Sequence, residues 1–350
     1  MIFFSIGLPS RFAEWCDQLV CRLVERALGP VRIAGASTVA DVGLALIASP
    51  EPHVMIAARY PTAALVEAFA NSGRGFLIAL DDPRAALQNM VLQHGMEWNA
   101  AIRATANSCA AILAYAAMPQ ATALQSVRDG CDPAASAARI ARCFGLALND
   151  ADLIACAALA SSPAIDKTAG GTEAWWDGID SAHREVAAGA LAAYAPRFAD
   201  RESGELVWRR ELFLLGDDPQ QSASGIVQIE GGVRNLLFGP YIALPIGNWS
   251  CTVSFAVSRE AAGLSFGFEV TAGARCDRLA YTIIVPDDRG FCRASFAFTI
   301  DMSTEQPIST RLVNLEPASG GRLVFGDMAL TEQTGARAPM LMELSAALGL

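Results

Sequence analysis

The chain opens Met1-Ile2-Phe3-Phe4-Ser5-Ile6-Gly7-Leu8-Pro9-Ser10-Arg11-Phe12-Ala13-Glu14-Trp15. The run Met1–Ile6 stops at Gly7-Leu8-Pro9-Ser10, and Phe12, Trp15, Leu19 and Leu23 then recur at helical spacing until Gly29-Pro30. A short apolar run closed by turn residues reads as a strand buried on both faces; the spacing after it reads as a helix over Arg11–Leu28. The unit then repeats. Val31–Ile33, His53–Ala58 and Gly75–Leu80 read as strands, and Val39–Ala48, Thr62–Asn71 and Ala85–Val91 as helices. Ser37 or Thr38 caps the helix from Val39, with Asp41 placed against its dipole. Strand and helix in alternation specify an α/β domain on a parallel sheet. Trp98–Phe198 is Ala-rich and helical in pattern, broken at Met118-Pro119, Gly130–Pro133, Ser161–Gly171 and Pro196. These helices are expected to cover the sheet and roof the cleft at its carboxyl edge.

The pattern changes after Leu206. Val207–Leu215, Gly225–Ile229, Tyr241–Leu244, Trp249–Val257, Leu264–Thr271, Ala280–Val285, Cys292–Ile300, Ser309–Leu315 and Arg322–Leu330 all read as strands. Gly231-Gly232, Asp287-Asp288 and Gly320-Gly321 separate some of them at the spacing of an all-β jelly-roll sandwich. The division expected is an α/β domain over 1–203, a sandwich over 207–332 and a tail over 333–350, joined near Glu202–Leu206. Pro339–Leu350 is apolar enough for a short helix that packs on its own domain or makes a homo-oligomer contact.

Composition narrows the function. With 53% hydrophobic residues the chain is globular. No apolar run reaches the ~18 residues of a membrane span, and the amino terminus lacks the basic start of a leader. The expected location is cytoplasmic. The net charge of −10 divides evenly between the halves, and neither has the basic patch that a phosphate backbone needs, so nucleic acid is excluded. Nine scattered cysteines without C-x-x-C read as reduced and mostly buried. The one lysine, Lys167, is in a Thr/Gly-rich stretch without a phosphate motif. His94-Gly95-Met96-Glu97 offers no third ligand, so no metal is expected.

Three stretches together resemble the sulfotransferase family of P-loop folds. Phe3–Arg11, ahead of a helix with Trp15, resembles its strand–G-x-P-[RK]-S-G-T-T-W–helix, whose loop holds the phosphosulfate end of the donor. Phe76–Leu80 followed by Asp81-Asp82-Pro83-Arg84 is similar to its strand ending in R-D-P-R, which grips the donor's 3′-phosphate. Asp132-Pro133 through Arg139–Leu146, then Asn149–Leu153, looks like its F-L-G-L helix and the capped acidic helix that follows. The resemblance covers residues 1–200. It implies a nucleotide cleft at Gly7, Pro9, Ser10, Arg11 and Arg84.

The departures weigh against that chemistry. Alignment on Pro9 and Trp15 puts Ser10 at the basic position, Arg11 at the serine, Phe12 at the glycine, and Ala13 and Glu14 at the threonines. A phosphate loop needs small residues so that backbone N–H groups can close on oxygens. Phe12 removes the freedom of glycine, and Glu14 places a carboxylate where phosphate charge belongs. Asp81 stands where the 3′-phosphate arginine is expected and Asn89 where a serine is, and a carboxylate facing phosphate is repulsive. Arg84 either contacts a donor or pairs with Asp81 or Asp82. No histidine aligns with a catalytic base; His53 and His94 read as structural. The expectation is a sulfotransferase-like fold with a lost or rebuilt donor site and no cofactor, phosphoadenosine phosphosulfate being used only if Arg11 rebuilds the cradle.

In the second half, Phe238-Gly239-Pro240-Tyr241-Ile242-Ala243-Leu244-Pro245-Ile246-Gly247-Asn248-Trp249 resembles jelly-roll modules of bacterial glycan-synthesis proteins. Arg234, Tyr241 and Trp249 are the candidate saccharide face, or else the two aromatics fill the core. Gly263-Leu264-Ser265-Phe266-Gly267 matches a hydrolase elbow but sits in a strand run, which excludes that reading. The function expected is an accessory or binding protein of surface-polysaccharide synthesis, with a glycan or protein partner. The alternatives are an active transferase on a glycan and a purely structural interaction protein.

Overall fold

The computed structural model describes residues 1–116, 118–126, 132–160, 168–198, 205–301 and 303–333. The tail Pro339–Leu350 and most of the expected join lie outside them. The chain divides into two compact units, Met1–Asp180 and Ser181–Leu350.

In the first unit, β1 (Ile2–Gly7), β2 (Val31–Gly35), β3 (His53–Ala58), β4 (Phe76–Leu80) and β5 (Ala121–Gln125) form a parallel sheet of order β2-β3-β1-β4-β5. Its described helices are α1 (Arg11–Ala27), α2 (Val39–Ile47), α3 (Ala63–Ser72), α4 (Pro83–Leu92), α5 (Trp98–Ala116), α6 (Pro133–Cys143), α7 (Asp150–Ala160) and α8 (Thr168–Gly178). Period-2 alternation sorts the central strand onto two cores. Phe3 joins Phe12, Trp15, Leu19 and Leu23 of α1 and Ile140 of α6 on one face. Ile2 and Phe4 pack toward Val54, Ile56 and Val42 of α2 on the other, where Phe69, Phe76 and Tyr115 also meet ring to ring.

β5 corrects the helical reading of Ala121–Gln125. Ala, Leu and Gln are helix formers, but here tertiary pairing overrides propensity. The segment completes the ladder of β4, and Arg139 of α6 donates to the Ala123 carbonyl at 2.6 Å. The Met118-Pro119 break upstream was the available signal.

The second unit holds α9 (Ser181–Leu191) and α10 (Tyr194–Phe198) followed by a two-sheet sandwich. Its strands are β6 (Leu206–Trp208), β7 (Leu214–Leu215), β8 (Ile226–Gln228), β9 (Arg234–Ile242), β10 (Gly247–Val257), β11 (Phe266–Ala272), β12 (Asp277–Ile284), β13 (Phe291–Ile300), β14 (Ile308–Asn314) and β15 (Arg322–Glu332). One antiparallel sheet runs β13-β10-β15-β6, with β8 also on β15; the other runs β12-β11-β14-β9-β7. Phe255 and Phe266, 5.3 Å apart, join the two through the core.

The change of composition at Leu206 marks where the strands begin, whereas the compact unit begins upstream at Ser181. The reason is close packing of α9 on β6: a Cβ on Gly189 would stand 2.6 Å from the Val207 carbonyl oxygen. Arg209 pairs with Glu185 at 2.6 Å, and the fully buried Tyr194 donates to the Ala243 carbonyl at 2.6 Å. No described helix is long and apolar enough to cross a membrane.

Candidate functional site

In an open parallel sheet the chemistry gathers at the carboxyl ends of the strands. β1 and β4 are neighbours, so the turn Gly7–Ser10 and the turn Asp81–Arg84 lie side by side. The two sequence motifs therefore do meet in space, but they meet as a closed joint.

Gly7 is required by packing: an added Cβ would stand 2.8 Å from Ala13 Cβ and 3.0 Å from Ala79 Cβ. Leu8, Pro9 and Ser10 are buried. Ser10 caps α1, and its hydroxyl accepts from the Ala13 amide at 3.3 Å, using one of the N–H groups a phosphate cradle would offer. Asn89 of α4 donates to the Pro9 carbonyl at 3.1 Å. Phe12 is buried and stacks on Trp15 with ring centroids 5.6 Å apart, inside the core beneath α1. Arg11 is exposed and makes no ion pair with a described residue.

Asp81 closes the joint from the β4 side. Ser126 and Ser10 lie beside its carboxylate and favour its charged form, and the Asp82 amide donates to it at 2.9 Å. Burial outweighs these contacts and raises its pKa above the ordinary 3.8. A carboxyl whose folded pKa is raised favours the fold most below its unfolded pKa, and that advantage disappears as pH rises through the folded value. Asp81→Asn is therefore expected to flatten the decline in urea midpoint between pH 4 and neutrality. An unchanged slope would refute this account of Asp81.

Arg84 turns away from the joint. It forms a fork to Asp82, with Nη2–Oδ2 at 2.7 Å, reaches Glu173 of α8 at 3.3 Å and lies 5.8 Å over the Trp176 ring. The Asp82 hydrogen bond, together with both carboxylates, pushes its pKa up.

One group that sequence reading missed lies between β1 and β3. Arg59, directly after β3, makes a tight ion pair with Asp17 of α1, and both are largely shielded from water. Burial raises the Asp17 pKa even against that cation. The Ser108 hydroxyl of α5 holds the Arg59 carbonyl at 2.6 Å. A recess of about 320 Å³ opens here, lined by Gly35, Ala36, Ser37, Asp41, Ala57, Arg59 and Tyr60. Its charges are already engaged: Asp41 accepts from the Ser37 and Thr38 amides, which depress its pKa, and Arg59 is held by Asp17. An arginine at the carboxyl end of a parallel strand was the signal. Among the described residues no cluster of three His, Cys, Asp or Glu side chains is arranged to hold a metal.

On the sandwich, the three saccharide candidates do not share a face. Trp249 is fully buried, its indole Nε1 donates to the Pro245 carbonyl at 2.9 Å, and Arg197 lies 5.6 Å over its ring. It fills the core and cannot present to a sugar. Arg234 is half-buried and engaged by Asp217 at 3.2 Å and the Gln228 carbonyl at 2.8 Å. Tyr241 is exposed, with φ of 63° and its ring 6.1 Å from Phe238.

A different row crosses the outer face of the second sheet. Register pairs Tyr281 with Glu269, Glu269 with Arg311, and Arg311 with Phe238, across β12, β11, β14 and β9. Directly opposed residues share a face, so two aromatics flank a charged centre over three interstrand steps of about 4.8 Å. Glu269 accepts from Arg278 at 3.0 Å and Arg311 at 3.5 Å. Arg278 lies 4.9 Å over the Tyr281 ring, which is 44% exposed. Gly267 makes room for that ring, since a Cβ there would stand 3.0 Å from the Tyr281 hydroxyl.

No protein-family model matches the chain, and no curated protein matches it in sequence. Among solved structures it is similar to the mouse sulfotransferase SULT7A1 complexed with PAP, at 12% identity and a TM-score of 0.35, covering 46% of this chain and 64% of that enzyme. It is also similar to the C-terminal CBM6 of LamC, a laminarinase from Zobellia galactanivorans, at 14% identity and TM-score 0.24, covering 37% of this chain and all of the module. The xylan-binding module CBM15 matches at 13% identity and TM-score 0.27, over 38% of this chain and all of that module. By its own strand order and register the chain is an α/β unit on a five-stranded parallel sheet, followed by a β-sandwich of two antiparallel sheets.

Proposed function

We propose that the protein is a glycan-binding accessory protein of surface-polysaccharide synthesis. Its sandwich holds the saccharide, and its α/β domain no longer takes a sulfuryl donor. The row Tyr281–Glu269–Arg311–Phe238 carries this reading. Aromatic rings suit the apolar faces of sugars, and the fixed Glu/Arg centre suits their hydroxyl groups. β12 supports it further, because Tyr281 and Ile283 are exposed on its outward side while Ala280, Thr282 and the buried Ile284 lie on the core side. Apolar side chains left exposed on one side of a strand suit a binding face. For the α/β domain, the support is the joint closed by Asp81, Ser10 and Asn89.

A glycan array, followed by titration of the best ligand, tests the sandwich. Tyr281→Ala is expected to weaken binding ~10-fold, the equivalent of one stacking contact, with an unchanged unfolding midpoint. Undiminished binding by this variant would remove the row from the account. Titration with phosphoadenosine phosphosulfate is expected to give no heat above dilution. Tight binding would instead favour the transferase alternative, with Arg11 rebuilding the cradle.

A further inference from the structure

The charges at the centre of the row on the second sheet do not cancel. Glu269 of β11 lies between two guanidinium groups. Arg278 of β12 meets its Oε2 at 3.0 Å from Nη2 and 3.2 Å from Nε, while Arg311 of β14 meets its Oε1 at 3.5 Å from Nη1. The Glu269 side chain is 13% exposed, against 61% for Arg278 and 33% for Arg311. The carboxylate therefore lies deeper than either cation, and the centre of the row keeps one positive charge.

Neighbouring acidic groups do not offset it. Glu305 is matched by Arg275 at 4.0 Å, and Asp217 by Arg234 at 3.2 Å. Asp277 adjoins Arg278 in β12, so it points to the opposite side of the sheet. A guanidinium also carries more N–H donors than one carboxylate fills. Arg278 turns Nε and Nη2 to Glu269, whereas Arg311 gives Nη1 to Glu269 and Nη2 to Cys276 Sγ at 2.9 Å. Both arginines are thus fixed from below while part of each remains open to solvent.

We infer that the row takes an acidic glycan, with the carboxylate of a uronic acid residue held by Arg278 and Arg311 between sugar rings seated on Tyr281 and Phe238. The inference rests on the glycan reading of this row and adds the charge of its ligand.

Two observations choose a carboxylate on a sugar. The arginines already hold one carboxylate, that of Glu269, with one oxygen on each, so their separation and orientation suit this planar group. Tyr281 and Phe238 stand three interstrand steps of about 4.8 Å apart on either side of them. A small free anion would use the cations and leave both rings bare, whereas an acidic oligosaccharide covers all four groups. The chain carries −10 and repels polyanions at long range, so binding depends on these two cations at contact and is screened by salt.

Titration with polygalacturonate, alginate and heparosan, each beside its carboxyl-reduced form, tests the inference, with dextran sulfate and poly-L-glutamate as controls. At least one polyuronate is expected to bind, at least ~10-fold more tightly than its carboxyl-reduced form, the loss of a charge-assisted pair. Raising NaCl from ~50 to ~500 mM should weaken that binding, because the screening length shortens. Arg278→Gln, at an exposed position, is expected to weaken the polyuronate ~10-fold and leave the carboxyl-reduced form as it was, whereas Tyr281→Ala weakens both. Should that arginine variant fail to fold, carboxyl reduction of the ligand makes the same comparison on the wild-type chain. A neutral form bound as tightly as its polyuronate would overturn this inference and leave the glycan reading standing. No binding to any glycan would overturn both. Dextran sulfate preferred over every polyuronate would assign the cations to sulfate, and equal binding of poly-L-glutamate would remove the sugar ring from recognition; either result overturns the uronate assignment.

Discussion

Trp249→Ala is expected to destabilise the sandwich by about 3–5 kcal/mol, the cost of emptying a large buried aromatic site. Trp249 is fully buried, its Nε1–H is satisfied by the Pro245 carbonyl, and its ring lies under the Arg197 guanidinium. Truncation removes apolar contacts and the partner of a cation that is itself shielded and paired with Glu332. Trp249→Phe keeps most of the ring and should cost less than half as much. Urea unfolding followed by far-ultraviolet dichroism measures both. A Trp249→Ala variant that unfolds at the wild-type midpoint but loses glycan would return Trp249 to the surface and refute its placement.

Arg59→Met is the second large effect. It leaves Asp17 buried with its cation gone, and removing one partner of such a pair costs about 3–5 kcal/mol. The sign with pH follows from Asp17, whose pKa is already raised by burial. Without Arg59 it rises further, so the variant's deficit is smallest below the unfolded value of 3.8 and grows as pH rises through the folded one. Asp17→Asn in the same chain should recover a good part of the loss, because a neutral amide of the same shape is cheaper to bury than an unpaired carboxylate. Equal deficits at pH 4 and pH 7 would exclude this explanation.

The candidate site was legible in part. Phe12 and Glu14 in the first loop, and Asp81 in the second, were visible as departures from a phosphate cradle. Spacing could not show that Asp81 and Ser10 come together, because that meeting depends on β1 and β4 being neighbours. The fate of Trp249 was readable. It shares parity with Cys251, Val253 and Phe255, all core residues of β10. Tyr281 was hidden by the same rule, since in β12 Tyr281 and Ile283 point away from the core. Parity misleads where a strand exposes apolar residues on its outer face as well as burying them on the inner one. In β9, register shifts opposite β14 interrupt the alternation, so Tyr241 could not be oriented from sequence.

What the sequence determined alone is the class of each half. A short, largely apolar run closed by Gly-x-Pro-Ser, repeated strand–helix units and then short strands with turn pairs admit a parallel α/β sheet followed by a sandwich, because periodicity is local chemistry. Tertiary structure decided which polar groups meet: Arg84 with Asp82 and Glu173, Arg59 with Asp17, and Glu269 between two arginines. It also made Ala121–Gln125 a strand. Those outcomes turn on strand order, register and the burial of charge, which arise between segments distant in the chain and leave no period within any one of them.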